Sequence, residues 1–332
     1  MLLSSIANPP STVDELLGPQ LMASLDRIDV FSRKVFAGKM PGERRSKRRG
    51  QSVEFDDYRE YTPGDDLRHI DWNVFARFDR FVIKLFREDE DLSVRIVLDA
   101  SPSMHAGDPS KLLAAHRLAM AIGYVGLVNQ NRVSVSVLGA GGVTGLAPMR
   151  GKRSVQRLGA FLLESLSGES QPGSSGNQSA STESVGHLES GSFNAALTQI
   201  AADRLAGKGM VFLLSDMLVR EGWTRGLDAL SAVRGYDTAC LQILSPDELD
   251  PAGAVEQGFV GDLRLTDAET GRGAEVTVSP AMLRQYQTRL TGFLESVKKD
   301  CRGRGITHNL VPSNADLGQL ITGPLRRQGL FA

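Results

Sequence analysis

The pattern of hydrophobic and polar residues changes near Leu92, and this change divides the chain into two parts. Downstream of it, short apolar runs with strand character alternate with longer stretches whose apolar residues recur every three or four positions. Such regular alternation is typical of a parallel sheet with helices on both faces. We therefore predict a doubly wound, mostly parallel α/β domain over residues 92–332, preceded by an N-terminal helical and β-rich extension over residues 1–91.

Within the α/β domain, the apolar runs and the periodic stretches define a series of elements. The predicted strands are Val94–Asp99, Arg132–Leu138, Met210–Leu214, Tyr236–Leu244 and Thr307–Val311. The predicted helices are Lys111–Val128, Val155–Leu166, Phe193–Leu205, Thr224–Val233 and Met282–Cys301. Two segments interrupt the series. A stretch rich in glycine and serine predicts a flexible surface loop at 167–190, and two alternating runs around a polar turn predict an inserted β-hairpin at 258–279.

The N-terminal extension combines a helix-rich opening with a charge-dense block. Residues 13–39 carry apolar side chains at helical spacing. Residues 54–90 are polar, but they include aromatic residues at intervals, whose rings we expect to be buried. This block is either a β-rich layer packed against the α/β domain or a docking surface for a partner. The basic run at 44–49 is either a solvated loop or a contact for phosphate or RNA.

Composition narrows the class of protein. Of the 332 residues, 41% are hydrophobic and 23% are charged, and the formal net charge of −1 does not indicate nucleic acid as an obligatory partner. No apolar stretch approaches the roughly 18 residues of a membrane-spanning helix, and the first residues lack the basic region of a signal peptide. We therefore expect a cytoplasmic protein without a membrane span. Cys240 and Cys301 form no Cys-x-x-Cys motif and are expected to be buried thiols.

Polar side chains follow two of the predicted strands and begin one of the predicted helices. Asp99, Ser101 and Ser103 follow the first strand, Asp216 follows a later one, and Ser192 precedes a helix. Open parallel sheets bind ligands at the carboxyl ends of their strands, and the Asp-x-Ser-x-Ser spacing lets one carboxylate and two hydroxyl groups converge. Such oxygens favour Mg²⁺, Mn²⁺ or Ca²⁺ over zinc or copper. The alternative to metal binding is a helix cap for Asp99 and its two serines, and a cap or turn residue for Asp216. For Ser192 the alternative is an ordinary loop residue.

The run Leu98-Asp-Ala-Ser-Pro-Ser-Met104 resembles the metal-ion-dependent adhesion site of von Willebrand factor A domains. In that family two loop serines, a threonine from a second loop and an aspartate from a third loop hold the metal. The ligands that the resemblance implies are Asp99, Ser101, Ser103, Ser192 and Asp216. Ser192 stands where the family has threonine, so the hydroxyl is kept and the methyl group is lost. The resemblance also implies a von Willebrand factor A-like fold for the α/β domain.

A longer resemblance covers the block from Ser52 to Arg77, which reads SVEFDDYREYTPGDDLRHIDWNVFAR. This block looks like the signature of a bacterial family of uncharacterised proteins known as domain of unknown function 58, and the resemblance extends from about Gly42 to the C-terminus. Members are commonly encoded beside MoxR-type AAA+ ATPases and are thought to work with them as adaptors or co-chaperones. The resemblance therefore implies a MoxR-type ATPase, or a client protein of such an ATPase, as the partner.

The sequence lacks the motifs of several enzyme classes. It contains neither a P-loop nor a Gly-x-Ser-x-Gly nucleophile motif. The run Gly139–Gly145 has its third glycine one place too late for a dinucleotide-binding turn, so we predict a plain loop there. Catalysis by His69 with Asp71 stays open, although a structural role is commoner for such a histidine. We predict a non-enzymatic, metal-dependent protein-binding adaptor. The alternatives are a metal-dependent phosphoesterase and a nucleic-acid-binding factor that uses residues 44–49.

Overall fold

The computed structural model describes residues 10–32, 54–63, 65–87, 92–139, 141–167, 192–203, 208–251, 262–266, 273–277 and 279–332. The basic run at 44–49 and nearly all of the predicted loop at 167–190 lie outside these residues. The chain forms two compact units, one of Met1–Val35 together with Leu92–Ala332 and the other of Phe36–Asp91. The segment before residue 36 therefore belongs to the α/β unit, whereas the sequence pattern grouped it with the charge-dense block.

From Leu92 onward, the described strands and helices alternate as the sequence predicts. The elements between Glu54 and Arg87 belong to the second unit. The described strands are β1 (Glu54–Glu60), β2 (Val82–Arg87), β3 (Leu92–Asp99), β4 (Arg132–Gly139), β5 (Gly142–Met149), β6 (Lys208–Ser215), β7 (Tyr236–Leu244), β8 (Asp262–Thr266), β9 (Gly273–Thr277) and β10 (Thr307–Pro312). The described helices are α1 (Val13–Leu16), α2 (Pro19–Leu25), α3 (Trp72–Phe78), α4 (Lys111–Val128), α5 (Val155–Ser167), α6 (Phe193–Ala202), α7 (Thr224–Ser231), α8 (Pro246–Leu249), α9 (Pro280–Gly303) and α10 (Leu317–Leu320). Short 3₁₀ turns cover Leu67–His69, Pro102–His105 and Lys152–Ser154.

The α/β unit is built on a sheet whose strand order, within the described ranges, is β10-β7-β6-β3-β4-β5. Neighbouring strands are parallel except β4 and β5, which are antiparallel. The strand order reverses between β3 and β6, because the chain first adds strands on one side of β3 and later returns to its other side. Such a reversal opens a crevice at the carboxyl ends of the two strands. The prediction of a mostly parallel sheet flanked by helices is confirmed, and this architecture is compatible with a von Willebrand factor A-like fold.

The central strands are buried on both faces. Every residue of β3 is buried, and so is every residue of β6 after Lys208. Strands covered by helices on both sides carry apolar side chains in near-continuous runs rather than in alternation, which explains the apolar runs in the sequence. Helix α4 packs on β3 and β4. It begins after Ser110, whose hydroxyl oxygen accepts a hydrogen bond from the amide of Leu113 at 3.2 Å.

Helix α4 is the one helix in the described part of the chain whose length and apolar composition match those of a membrane span. Of this 18-residue helix, 89% is buried inside the protein. A helix that packs against both a sheet and a neighbouring helix is apolar on most of its circumference. The composition of α4 is therefore what its place between the sheet and α5 requires.

A buried histidine lies on α4. The imidazole of His116 contacts the carbonyl oxygen of Leu112 through Nδ1 at 2.8 Å and the hydroxyl of Ser165 through Nε2 at 2.9 Å. In a neutral ring with Nδ1 donating to the carbonyl, Nε2 accepts from the Ser165 hydroxyl, whose single proton is shared with the carbonyl oxygen of Leu162 at 3.0 Å. Burial lowers the pKa of His116 from its usual 6.5 to about 4. The folded protein therefore holds His116 neutral over a pH range in which the unfolded chain binds a proton.

Acidification is expected to destabilise the protein through His116. Because the pKa of His116 is lower in the folded state, its contribution to stability is full above pH 6.5 and is lost as the pH falls through about 4. The loss amounts to about 3 kcal/mol in total. Urea unfolding of wild type and His116→Gln at neutral pH and at about pH 4 measures it, and the difference between the two proteins isolates His116 from other titrating groups. An equal loss of stability in both proteins would show that His116 is not held neutral.

The sequence prediction is wrong at the edge of the sheet. Residues 142–145, predicted as part of a plain loop, belong to β5, which pairs antiparallel with β4. β5 contains Gly142, Gly145 and Pro148, so it lacks the alternation of apolar side chains that identifies a strand. Proline and glycine are tolerated in an edge strand, because only one side of the strand carries ladder hydrogen bonds.

Two further predictions concern the N-terminal segment and the inserted hairpin. The opening predicted as helix-rich over residues 13–39 contains the short helices α1 and α2, followed by a β-bridge between Val30 and Phe331. This bridge ties the N-terminal segment to the C-terminus and explains why the segment belongs to the α/β unit. The inserted hairpin predicted at 258–279 is confirmed, since β8 and β9 pair antiparallel.

The second unit contains the antiparallel pair β1 and β2, with α3 between them in the chain. Asp71 caps α3, where its Oδ1 accepts hydrogen bonds from two backbone amides of the first turn. The same carboxylate accepts a hydrogen bond from the Tyr58 hydroxyl and lies 3.1 Å from Nζ of Lys84. Asp71 thus serves as a helix cap and an ion-pair partner, which favours a structural role over catalysis with His69.

The expectation that the aromatic rings of this block are buried is wrong for several of them. Trp72 is 59% exposed, Phe78 is 69% exposed, and Tyr58 and Phe81 are each 46% exposed. Phe75 stacks on Phe81, with ring centroids 4.3 Å apart. One two-stranded sheet and one short helix offer too little surface to enclose this many rings. Exposed apolar clusters are typical of contact surfaces, so the partner-docking interpretation of the block stays open.

Candidate functional site

A cleft of about 440 Å³ lies at the carboxyl edge of the sheet, where β3, β4 and β6 end. The predicted site residues that line it are Asp99, Ser101, Ser192 and Asp216. Leu138, Phe193, Leu218 and Val219 contribute apolar walls, and Arg220 and Glu221 add one charge of each sign. Ligand pockets in proteins have this size and this mixture of apolar walls with a few polar groups.

Asp99 is the last residue of β3, and its side chain is buried. Its Oδ1 accepts a hydrogen bond from the amide of Ser101 at 2.9 Å, and its Oδ2 accepts one from the hydroxyl of Ser215 at 2.6 Å. The following 3₁₀ turn, Pro102–His105, has Ser101 at its N-cap position and no side-chain capping bond. Capping, the alternative considered from the sequence, is therefore not the role of Asp99. The two hydrogen bonds hold its carboxylate at the end of the strand.

The two loop serines are in contact with each other. The hydroxyl oxygens of Ser101 and Ser103 lie 3.1 Å apart. Ser103 is buried and does not itself line the cleft, whereas Ser101 does. Neighbouring ligands of an octahedral Mg²⁺, with bonds of about 2.1 Å, lie about 3 Å apart. The separation of the hydroxyl oxygens therefore suits two adjacent coordination positions.

Asp216 directly follows β6, and its side chain is buried. Its Oδ1 accepts a hydrogen bond from the amide of Leu218 at 2.9 Å, and its Oδ2 lies 2.8 Å from Nζ of Lys111. Met217 has a φ of 63°, in the left-handed region that bulky residues rarely adopt, and its amide donates to the Ser215 hydroxyl at 2.9 Å. Backbone strain of this kind clusters at functional sites, where the surrounding structure holds it in place.

Two charged residues beside the cleft were missed by the sequence analysis. Nζ of Lys111 lies 2.7 Å from Oε1 of Glu248 in addition to its contact with Asp216. Glu248 belongs to α8 and forms a capping box with Ser245. One feature of the sequence could have revealed this ion pair: Lys111 is the first residue of a long apolar helix. A cation is disfavoured there by the helix dipole and therefore needs a nearby anion.

Ser192 lies on the cleft, but its hydroxyl has another partner. It is the N-cap of α6, where its Oγ accepts a hydrogen bond from the amide of Ala195 at 3.4 Å. The same hydroxyl donates to Oε1 of Glu221 at 2.5 Å, and Glu221 also accepts a bond from the amide of Asn194 at 3.1 Å. The bond from Ser192 is the main reason why the pKa of Glu221 is lowered. Ser192 therefore lies at the cleft, as predicted, but as a helix cap whose hydroxyl is bound to Glu221. No spacing in the sequence indicated that Glu221 is its partner.

The charges around the cleft do not balance. Burial, and next the charge of Asp216, raises the pKa of Asp99 from its usual 3.8 to about 6. In the described part of the chain, Lys111 forms ion pairs with Asp216 and Glu248, and no ion pair is found for Asp99. Three carboxylates and one ammonium leave two negative charges without a counter-charge. A divalent cation would supply that charge, so the donor set and the charge both fit a hard divalent cation.

The candidate site differs from metal centres built of several acidic or imidazole ligands. Within the described ranges, no three His, Cys, Asp or Glu side chains converge in the manner of a metal site. The candidate ligands here are two carboxylates and hydroxyl groups. Affinity for hard cations grows with the number of charged ligands, so a cation held by this set would be bound modestly.

Comparison with known proteins places the chain in a family. The family model described as "Protein of unknown function DUF58" matches residues 57–292, which is more than half of the chain. The chain belongs to the DUF58 family. The resemblance seen in the signature block is thereby confirmed. The structure of this DUF58 protein adds a buried acidic cleft whose role the family description leaves open.

Relatives of this DUF58 protein are described as uncharacterized. Rv1480 of Mycobacterium tuberculosis (strain ATCC 25618 / H37Rv) and Mb1516 of Mycobacterium bovis are each 25% identical to it over 304 residues, which cover 91% of this chain and 88% of each relative. Similar solved structures include the conserved hypothetical protein BatB from Bacteroides thetaiotaomicron, with 15% identity, a TM-score of 0.37 and coverage of 71% of this chain and 98% of BatB. Another is an aerotolerance-related membrane protein from Bacteroides fragilis NCTC 9343, with 18% identity, a TM-score of 0.38 and coverage of 71% and 99%.

Proposed function

We propose that this DUF58 protein is a non-enzymatic, metal-dependent protein-binding adaptor with a von Willebrand factor A-like α/β unit. The observation that carries the proposal is the surplus of negative charge at the cleft, where the ammonium of Lys111 pairs with Asp216 and Glu248, and the buried carboxylate of Asp99 has no ion pair among the described residues. Burying a carboxylate without a counter-charge costs several kcal/mol, so a site of this kind is maintained where a cation binds. Mg²⁺ is the expected cation, and Mn²⁺ or Ca²⁺ would suit the same oxygen ligands.

In this proposal, the polar residues of the site bind the cation, and the apolar walls of the cleft shield it from water. Asp99, Ser101 and Ser103 would hold the cation, with Asp216 and Ser192 completing the set from the neighbouring loops. Because few of these groups are charged, the cation would keep open positions, and one of them would accept an acidic side chain of the partner. The apolar walls of the cleft would exclude water from that contact and strengthen it.

The partner we propose is a MoxR-type AAA+ ATPase or a client protein of it, met in the cytoplasm. This part of the proposal rests on the resemblance of the signature block at 52–77 to a family whose members are encoded beside such ATPases. An adaptor needs a second contact surface besides the cleft. The exposed aromatic residues of the second unit, such as Trp72 and Phe78, have the composition of one.

The proposal is tested by capturing partners from a lysate of the source cells with the full chain as bait. Wild type in Mg²⁺ is expected to retain an AAA+ ATPase, and both a chelator and Asp99→Ala should abolish its retention. Asp228→Ala is the matched control, because Asp228 is 63% exposed and its ion pair with Arg304 lies at the surface, where such pairs contribute little to stability. This control should retain the ATPase.

Two outcomes would contradict the adaptor proposal. A set of captured proteins that neither chelator nor Asp99→Ala changes would remove the metal from the mechanism. Hydrolysis of a simple phosphoester such as p-nitrophenyl phosphate, lost in Asp99→Ala and kept in Asp228→Ala, would favour the phosphoesterase alternative. Isothermal titration with Mg²⁺ measures cation binding directly, and Asp99→Ala is expected to lose it.

A further inference from the structure

A lysine is buried directly behind the candidate cation site. Lys111 is fully buried, and its ammonium bridges Oδ2 of Asp216 at 2.8 Å and Oε1 of Glu248 at 2.7 Å. Asp216 therefore lines the cleft and at the same time contacts the ammonium through Oδ2. Any cation that binds in the cleft and interacts with Asp216 has to share this carboxylate with the ammonium of Lys111.

The position of Lys111 is unfavourable for a purely structural role. A lysine at the first turn of a helix opposes the helix dipole, and complete burial removes its ammonium from water. Well-packed apolar residues are often as stabilising as a buried ion pair, so stability alone does not require this lysine. The placement of its charge against a wall of the cleft gives Lys111 an effect that an apolar residue would not have.

We propose that Lys111 sets the cation affinity of the cleft by lowering it. This inference rests on the proposed cation site and concerns its regulation. The ammonium repels a divalent cation across the shared carboxylate of Asp216, and repulsion between like charges is strong where water is excluded. The cleft therefore binds a cation weakly by itself, and an anionic ligand that adds negative charge raises the affinity for the cation. By thermodynamic linkage, the cation raises the affinity for that ligand by the same factor.

Glu248 has the opposite effect in this scheme. It neutralises part of the charge of Lys111, because its Oε1 contacts the same ammonium as Asp216. Wild type has a net charge of −2 from Asp99, Asp216 and Glu248 together with Lys111. Lys111→Met changes this net charge to −3, and Glu248→Gln changes it to −1. Arg220 and Glu221, which also line the cleft, cancel each other in this count.

These two substitutions separate an electrostatic role from structural damage, because both remove the ion pair between Lys111 and Glu248. Damage to the network would weaken cation binding in both variants. The electrostatic role predicts changes of opposite sign, with tighter binding in Lys111→Met and weaker binding in Glu248→Gln. Groups of this kind beside a metal ligand typically change metal affinity by 10- to 100-fold, and we expect a change of about tenfold in each direction.

The experiment is isothermal titration of the chelator-treated full chain with Mg²⁺ and with Mn²⁺. Wild type, Lys111→Met, Glu248→Gln and Asp99→Ala are compared, and thermal unfolding with and without the cation gives a second readout. Tighter binding by Lys111→Met and weaker binding by Glu248→Gln support the inference, and so does binding detected only in Lys111→Met. If Lys111→Met does not fold, Lys111→Gln takes its place, since it removes the same charge; tighter cation binding then supports the inference, and equal or weaker binding overturns it.

Failure of this inference is distinguishable from failure of the proposed function. Binding by wild type that is lost in Asp99→Ala, together with equal or weaker binding by Lys111→Met, overturns the role of Lys111 and leaves the cation site in place. Absence of binding in both wild type and Lys111→Met overturns both. Binding that persists unchanged in Asp99→Ala shows that the cation lies elsewhere and likewise overturns both.

Discussion

Asp99→Asn is expected to make the metal-free protein more stable at neutral pH by about 2 kcal/mol, while it abolishes cation binding. Asp99 is buried close to another negative charge, and no ion pair is found for it among the described residues. Asparagine has nearly the same shape and no charge. Its carbonyl oxygen can accept from the amide of Ser101, and its nitrogen can donate to the hydroxyl oxygen of Ser215. The hydroxyl proton of Ser215 then loses its acceptor, which offsets part of the gain from removing the buried charge.

The pH dependence of this gain follows from the raised pKa of Asp99. In the folded state the protonated form is favoured, so its contribution to stability is full below about pH 4 and is lost as the pH rises through about 6. Asparagine does not titrate and avoids this loss. Urea unfolding of both proteins in chelator is therefore expected to give equal stabilities near pH 4 and the full difference at neutral pH.

Asp216→Asn is the matched control, since it makes the same chemical change at the neighbouring carboxylate. Asp216 is paired with Lys111, so its neutralisation leaves the buried ammonium with Glu248 alone. This variant is expected to lose about 2 kcal/mol of stability. A loss of stability in Asp99→Asn as well would show that Asp99 already has a compensating charge in the metal-free protein, and the argument for a cation at the cleft would fail.

Gly209→Ala is expected to destabilise the α/β unit by about 3 kcal/mol or more. A Cβ atom at Gly209 would overlap the carbonyl oxygen of Ser93 and approach a ring carbon of Tyr236 at 2.7 Å. Ser93 and Tyr236 are the register partners of Gly209 on β3 and β7. The overlap with Ser93 is with backbone of a fully buried central strand, so a side-chain rotation does not relieve it.

Gly292→Ala provides the control for Gly209→Ala. Gly292 lies inside α9, and no atom comes within 4 Å of the place that a Cβ would occupy, so alanine adds no clash. Alanine also favours the helix and is expected to stabilise the protein by about 0.5–1 kcal/mol. Denaturant unfolding should give shifts of opposite sign for the two variants. A small effect of Gly209→Ala would mean that β3 and β6 can separate at little cost.

The elements that could be predicted from the sequence are those whose local pattern and tertiary environment agree. Helix α4 and strand β7 were predicted with the bounds that the structure gives, because each is a long apolar stretch with polar residues at both ends. The hairpin of β8 and β9 was found for the same reason, since its alternation is local. The prediction failed at β5, whose pairing partner β4 determines its conformation, while its own glycines and proline resemble a loop.

The candidate site was predictable only in part, for a related reason. Asp99 and Asp216 follow strands, and parallel strands end at the same edge, so the sequence order alone brings them together. Lys111 lies at the start of a helix and Glu248 on a short helix after β7, and no spacing in the sequence indicates that they meet beside Asp216. Tertiary packing determines which charged groups surround a carboxylate. It therefore also determines the net charge of the site, on which cation binding depends.

The second unit is an insertion in the chain of the α/β unit, because Phe36–Asp91 lies between the two segments that form that unit. The hydroxyl of Ser32 donates to Asp237 at 2.8 Å near the start of β7, and the chain returns at Leu92, the start of β3. Asp99 lies at the other end of β3, about 23 Å away. Deletion of Phe36–Asp91 therefore removes none of the residues that line the cleft. A single deletion thus assigns each partner of the protein to the inserted module or to the cleft.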